Sequence, residues 1–390
     1  MTDVSTLKEK VQGRIEEISG ELEEIAKRIF DNPELKFEEY KAAEWLAEKL
    51  EEEGWEVERE VAGMETSFRA VHPEKSEGPA IAFLCEYDAL PQLGHGCGHN
   101  LIAAIGLGAG LGLAAAKDEL PGRIEVIGAP AEEGGGGKVE LVDAGVFQDL
   151  DAAMMVHPSS RTLVGRGSLS IQEFKFDFYG ESTHASAEPE KGINALDAAI
   201  ATFNNINAFR EHVKDGARIH GIILDGGEKP NIVPEHASAM FYVRAPEEEY
   251  MKELVERVKD CARAGALAAG AELEIERQGP GYKAMKPNPV LAERFKENLK
   301  AVGEEMGESD GGMGSTDMGD VSQVLPAIHG YIDITDGDVP GHSWKFVEAA
   351  DSEKGYRAMV KAAKVLALIG VDVLSDQELV EEMWEEFENS

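Results

Sequence analysis

Leu and Ile recur at three- and four-residue spacing through LKEKVQGRIEEISGELEEIAKRIF, the pattern of a helix with one apolar stripe. NPEL interrupts that run and KAAEWLAEKLEEEG restarts it, so two helices are expected over residues 5–53. The period then changes. AIAFLCEYDALP reads as a buried strand, the Gly/Ala-rich run after Asn100 as a buried helix, RIEVIGAP as a strand, GKVELVDAGVF as a helix and AAMMVHP as a strand. Strands alternating with helices predict an α/β domain, a mostly parallel sheet with helices on both faces. Ligands of such sheets gather at the carboxyl ends of strands. There the chain places Asp88, the pair Glu132 and Glu133, and His157.

Near residue 168 a second pattern begins. SLSIQEFKFDFYG alternates as a half-exposed strand does, and NALDAAIATFNNINAFREH is helical. ARIHGIILDGG and ASAMFYVRA are strands, EYMKELVERVKDCARAGALAAG a helix and AELEIERQG a last strand. The order strand-helix-strand-strand-helix-strand predicts an α+β sandwich of the ferredoxin-like kind. From about 282 the chain returns to the first domain through AERFKENLKAVG, and helices finish it from about 347. The expected division is one discontinuous domain, 1–167 with 282–390, and an insertion at 168–281.

Composition narrows the partners. Asp and Glu number 75 against 38 Lys and Arg, a formal net charge of −37. That field repels phosphate backbones and anionic lipid, which excludes nucleic acid and membrane as expected partners and implies a solvated acidic surface. Cys85, Cys97 and Cys261 are an odd, scattered set, no disulfide framework, and they fit a reducing compartment. The start MTDVSTLKEKVQ lacks the basic and apolar regions of a signal peptide. The uncharged run from Leu101 to Ala116 is too short to span a bilayer. A cytoplasmic location is expected.

Several stretches could carry chemistry. AEEGGGGK has the look of a phosphate loop, but Glu132 and Val139 stand where Gly and a hydroxyl are required. GLGAGLG lies inside a helical stretch, so its glycines read as close packing rather than a dinucleotide turn. Adjacent Glu132 and Glu133 repel each other unless a cation lies between them or one is protonated. Taken alone they read as solvated loop residues. Cys97, His99, His157 and His342, each on an expected loop or strand end, change that balance. Soft and borderline donors with a carboxylate suit Zn²⁺ or Mn²⁺, and their spacing is not that of a structural zinc finger. His72, His212, His220 and His236 read as ordinary polar residues. A Cys97 nucleophile with a histidine base is a second reading, weakened because such enzymes take the base from elsewhere in the chain.

In this order, NPELKFEEYKAAEWLAEKLEEEGWEV, EYDALPQLGHGCGHNL, APAEEGGGGK, GESTHASAEPEKGINALDA, NIVPEHASAMFYVR, GSTDMGDVS and PGHSW resemble metallopeptidase family M20. The likeness is to its amidohydrolase branch of p-aminobenzoyl-glutamate hydrolases, aminoacylases and dipeptidases, and it covers nearly the whole chain. It implies a two-metal centre (Mn or Zn, with Co or Ni able to substitute) held by Cys97, His99, Glu133, His157 and His342. Metal-bridged hydroxide would attack an amide carbonyl, with Glu132 as general base and Asp88 orienting the site. Glu86 fills an acidic position where many relatives carry Asp. The resemblance further implies that His184 stabilises the oxyanion and that Asn231 and Arg244 hold the substrate's carbonyl or carboxylate. His95 and His329 would be supporting residues, and the insertion a lid through which a homodimer forms. The implied activity is release of the C-terminal amino acid from an N-acyl amino acid or dipeptide. The alternatives are p-aminobenzoyl-glutamate hydrolysis, a non-catalytic conjugate-binding protein, or the cysteine-nucleophile hydrolase.

Overall fold

The apolar runs become strands in the computed structural model, which describes residues 3–74, 76–308 and 313–390. In chain order these are β1 (Glu56–Arg59), β2 (Phe68–Val71), β3 (Ala80–Cys85), β4 (Arg123–Gly128), β5 (Ala152–Ser159), β6 (Ser170–Tyr179), β7 (Arg218–Asp225), β8 (His236–Ala245), β9 (Glu272–Tyr282) and β10 (Ala327–Asp333). Two compact units hold them. The first comprises the described parts of Met1–Gly167, Met285–Met313 and Asp317–Ser390, the second Ser168–Ala284 with Gly314–Thr316.

The first unit carries a sheet in the order β1-β2-β4-β3-β5-β10. From β4 to β10 neighbouring strands run parallel, and β2 and β1 join antiparallel at one edge. Every residue of β3 is buried, as a central strand covered on both faces requires. The helix His99–Ala114 packs against it through its small residues. A Cβ on Gly106 would lie 2.6 Å from Cys85 Sγ and 2.6 Å from the Leu84 carbonyl, so glycine here sets how near the helix can come. This accounts for the glycine run that superficially suggested a nucleotide turn.

The N-terminal run forms three helices, Val4–Glu17, Ser19–Asp31 and Tyr40–Glu52, where the periodicity predicted two. The break falls at Ile18 (φ −91°, ψ 4°), where Ser19 Oγ donates to the Glu16 carbonyl at 2.8 Å. A serine competing for a backbone carbonyl interrupts a helix without disturbing its apolar stripe, so periodicity does not register it.

The second unit is an antiparallel sheet in the order β7-β8-β6-β9 backed by helices Ala195–Phe209 and Glu248–Ala269, a ferredoxin-like sandwich. Phe174, Phe176, Phe178 and Phe241 pack with Ala198, Leu254 and Val258 in its core. Asn194 caps the first of these helices, accepting from the Leu196 and Asp197 amides. Ile222, Ile223 and Leu224 stand exposed on edge strand β7. Among the described residues no helix is long and apolar enough to cross a membrane.

Candidate metal centre

The chain leaves β3 as Glu86-Tyr87-Asp88, all fully buried, and reaches GHGCGHN through a tight turn. Gly98 adopts φ 80°, and a Cβ there would stand 3.0 Å from the Pro158 ring. Left-handed backbone and close approach to β5 both demand glycine at this point. Asn100 is not the helix cap: the helix starts at His99 behind Gly98, and Asn100 Nδ2 donates to the Ala350 carbonyl at 3.1 Å. It ties the turn to a distant helix. The His342 amide donates to the Gly96 carbonyl at 2.9 Å, which brings the PGHSW loop to the same turn. His342 itself has φ 55°. His157, expected just past a strand, lies within β5.

Glu132 and Glu133 follow β4 on a turn entered through Ala131 at φ 62°. Buried Glu39 holds that turn: its Oε1 accepts the Ala131 amide at 2.8 Å, and its Oε2 accepts from Thr66 Oγ1 at 2.8 Å. Burial, aided by the charge of Asp88, pushes the Glu39 carboxyl up to about 7.

The donors meet in three overlapping sets: Cys97, His99 and His157; Cys97, Glu133 and His342; His99, Glu132 and Glu133. Within each set one ligand atom per residue lies within 4.8 Å of the others. Cys97 Sγ is 3.3 Å from His157 Nε2, and His342 Nε2 is 3.3 Å from Glu133 Oε1. His99 Nδ1 donates to Asp88 Oδ1 at 2.9 Å, and His157 Nδ1 donates to the Pro158 carbonyl at 2.6 Å. These bonds fix both tautomers and turn both Nε2 atoms toward the shared space. His99 Nε2 is buried without a hydrogen-bond partner, as a metal-ligating nitrogen would be in the absence of its ion. A thiolate, three imidazoles and the Glu133 carboxylate are a donor set suited to divalent cations, with the Glu132 carboxylate beside them.

The electrostatics agree with that chemistry. Burial would raise the Cys97 thiol, but His157 and His99 outweigh it and bring it down to about 5. Burial resists ionisation of Asp88 as well, and His99 holds it below the usual carboxylate range. Glu132 goes the other way: burial, then Glu86 and Glu133, raise it well above that range.

Beneath these donors lies a buried charge cluster that apolar periodicity does not reveal. Lys138 Nζ pairs with Glu86 Oε1 and lies 2.7 Å from Asp317 Oδ1, while Asp317 Oδ2 accepts the Lys138 amide at 3.0 Å. All three side chains are fully buried. Its one signal in the sequence is a lysine in an otherwise apolar helix start. Equally silent in the sequence is the face of β10 beside His157. Parallel pairing sets Tyr331 opposite His157, with ring centroids 6.0 Å apart, and His329 4.8 Å from Tyr331. Burial, then His157, keep His329 neutral by lowering it well below the usual imidazole value. His95 turns away, with Nε2 3.1 Å from the Ile29 carbonyl.

His184, Asn231 and Arg244 belong to the second unit. There His184 and Asn231 are neighbours, since the Ala185 amide donates to the Asn231 carbonyl at 3.0 Å. Arg244, on β8, donates to Ser315 Oγ at 2.9 Å.

Known proteins share this chain's pattern. The family described as Peptidase family M20/M25/M40 matches residues 82–365. The chain is 39% identical to an Xaa-Arg dipeptidase of Mus musculus, over 99% of its own length and 93% of the relative's. It is 29% identical to one of the polypeptides of p-aminobenzoyl-glutamate hydrolase from Escherichia coli K12, over 93% and 91% of the two chains. A solved dinuclear metal binding peptidase of the M20 family from Bacillus subtilis shares the fold with a TM-score of 0.70 at 20% identity, covering 92% of this chain and 99% of that one. With a family match over most of its length and a donor set suited to divalent metal, this chain belongs to peptidase family M20/M25/M40 and is an enzyme of metal-dependent amide hydrolysis.

Proposed function

We propose that the enzyme releases the C-terminal amino acid from a dipeptide or N-acyl amino acid, and that the released residue is basic or neutral. The observation carrying this reading is the convergence of Cys97, His99, Glu133, His157 and His342 around one space with Glu132 at its side. Those five would hold two ions, Mn²⁺ or Zn²⁺ by donor type. When bound, the ions supply an acidified water and polarise the scissile carbonyl. Glu132 takes up a proton and delivers it to the leaving amine. Asp88 keeps His99 in one tautomer and, through its bond from the Glu133 amide at 2.9 Å, aligns the glutamate turn.

In the second unit, His184 acts as an oxyanion donor, and Asn231 and Arg244 hold the substrate's carbonyl or carboxylate. The likeness to an Xaa-Arg dipeptidase and the net charge of −37 support a basic leaving residue. The same charge disfavours p-aminobenzoyl-glutamate, which is a dianion. The insertion carries a homodimer contact in this reading, supported by the exposed Ile222, Ile223 and Leu224 on an edge strand. Three scattered free cysteines support the cytoplasm.

The test is a panel of dipeptides ending in Lys, Arg or Ala, N-acyl amino acids and p-aminobenzoyl-glutamate, assayed with Mn²⁺ and Zn²⁺. Preference for basic C-terminal residues is expected. Activity that survives complete chelation, or that is confined to p-aminobenzoyl-glutamate, rejects this reading.

A further inference from the structure

Glu39, at the start of the helix Tyr40–Glu52, is wholly buried, yet among the described residues no Lys, Arg or His pairs with it. Burying a carboxylate without a cation opposes folding. Both of its oxygens are engaged by hydrogen bonds instead, and the two bonds lead to opposite sides of the metal centre. One oxygen accepts the Ala131 amide at 2.8 Å, immediately before Glu132. The other accepts from Thr66 Oγ1 at 2.8 Å, and the Thr66 carbonyl accepts the Tyr87 hydroxyl at 2.6 Å. Tyr87 stands between Glu86 and Asp88 where the chain leaves β3, and it is also fully buried.

The turn that Glu39 reaches is one that its own residues do not favour. Ala131 has φ 62°, left-handed backbone that a residue with a Cβ holds only when its surroundings impose it. Its carbonyl accepts the amides of Gly135 at 2.9 Å and Gly136 at 2.7 Å, and the Glu132 carbonyl accepts the Gly134 amide at 2.7 Å. These bonds close the turn on itself without saying where it points. Two carboxylates supply that direction. Glu39 takes the amide before Glu132, and Asp88 Oδ2 takes the amide of Glu133 at 2.9 Å. Glu39 itself belongs to none of the three donor sets.

We propose that Glu39 is a positioning residue for Glu132: by holding the Ala131 amide on one oxygen and Thr66, with Tyr87 behind it, on the other, it sets the glutamate turn against the Asp88 turn. The proposal rests on the reading above that Glu132 moves the proton, and deepens it. A reacting group displaced by about 1 Å costs on the order of a hundredfold in rate. The turn carrying Glu132 is glycine-rich after the glutamates, so an outside anchor is what gives it one direction. Glu39 touches neither the donors nor the space they surround, and its effect is therefore on the rate of the chemical step and not on substrate affinity.

The experiment measures kcat, KM and bound metal with alanyl-arginine on the metal-loaded wild type, E39L, E39Q and T66V, with E132Q as reference. E39L should lose about 30-fold or more in kcat while keeping its metal and its KM. E39Q should recover to within about threefold of wild type, because Gln keeps an acceptor for the Ala131 amide and its NH₂ can donate to the Thr66 hydroxyl. T66V should fall between. Wild-type kcat in E39L, a loss that only follows lost metal, or an E39Q as impaired as E39L overturns the proposal. Where E39L does not fold, T66V takes its place: lowered kcat with metal and KM retained sustains the proposal, and unchanged kcat rejects it. If the wild type cleaves no dipeptide, or E132Q keeps full kcat, the functional reading fails by itself, and crystal structures of E39L and E39Q then decide Glu39. An Ala131 that leaves the left-handed region in E39L and keeps it in E39Q sustains the anchor. A glutamate turn in E39L that superposes on the wild type rejects it.

Discussion

Asp88 and His99 are joined by a 2.9 Å bond between fully buried side chains, and this bond leaves His99 Nε2 unpartnered and facing Glu132 at 4.0 Å. The carboxylate's other oxygen accepts the Glu133 amide. One side chain therefore orients an imidazole from one turn and a glutamate from another. Asp88→Asn keeps the shape but can offer His99 an amide N–H in place of an acceptor. Metal affinity, or activity at saturating metal, should fall about 10- to 100-fold, measured by competition with a coloured chelator. An unchanged affinity and rate would show that the tautomer is fixed some other way.

Glu132 and Cys97 separate the metal mechanism from a cysteine nucleophile. Glu132→Gln should bind metal as the wild type does and lose about 10²–10⁴-fold in kcat. Cys97→Ser should lose bound metal together with activity, and chelation should abolish wild-type turnover. A metal-free enzyme that stays active and is inactivated by alkylation of Cys97 would restore the nucleophile reading. Metal content by mass spectrometry and burst kinetics are the measurements.

The Lys138 cluster is a stability element with a clear sign. Its ammonium is the shared partner of Glu86 and Asp317, and burial, joined by the charge of Glu86, raises the Asp317 carboxyl to about 6 even beside that ammonium. Lys138→Met leaves two buried carboxylates without their cation, a change of the kind that costs about 3–5 kcal/mol. Urea denaturation should show the loss, and adding Glu86→Gln should recover part of it. A Lys138→Met chain as stable as the wild type would mean that the carboxylates protonate at no cost.

In the second unit, His236 lies between Asp225 at 2.8 Å and Asp177 at 3.0 Å. The Asp225 bond is the main cause that holds the imidazole above its ordinary value. A group raised in the folded state stabilises below its unfolded value, about 6.5, and loses that contribution as pH rises through the higher folded value. Stability should therefore decline gently above about pH 6.5, and His236→Gln should flatten the decline. The pair is partly solvated, so the effect is under about 1 kcal/mol. Identical pH profiles for the two chains, by chemical denaturation from pH 5 to 9, would remove His236 from the account.

Apolar periodicity determined by itself that strands alternate with helices in the first unit and that a strand-helix-strand-strand-helix-strand set is inserted, because periodicity is a local property of the chain. The identities of the donors were equally legible: Cys97, His99, Glu132, Glu133, His157 and His342 carry groups whose chemistry is fixed by residue type. Which groups share one space was decided only by tertiary structure. β5 and β10 are far apart in the chain, and nothing in either predicts that Tyr331 pairs with His157. The register that sets them side by side comes from packing both strands in one parallel sheet, and with it comes the face shared by His329 and approached by Arg166. Lys138 looked like part of a failed phosphate loop because its partners, Glu86 and Asp317, reach it from other parts of the chain. Charge compensation in a core is a relation among distant segments, and a linear pattern does not contain it.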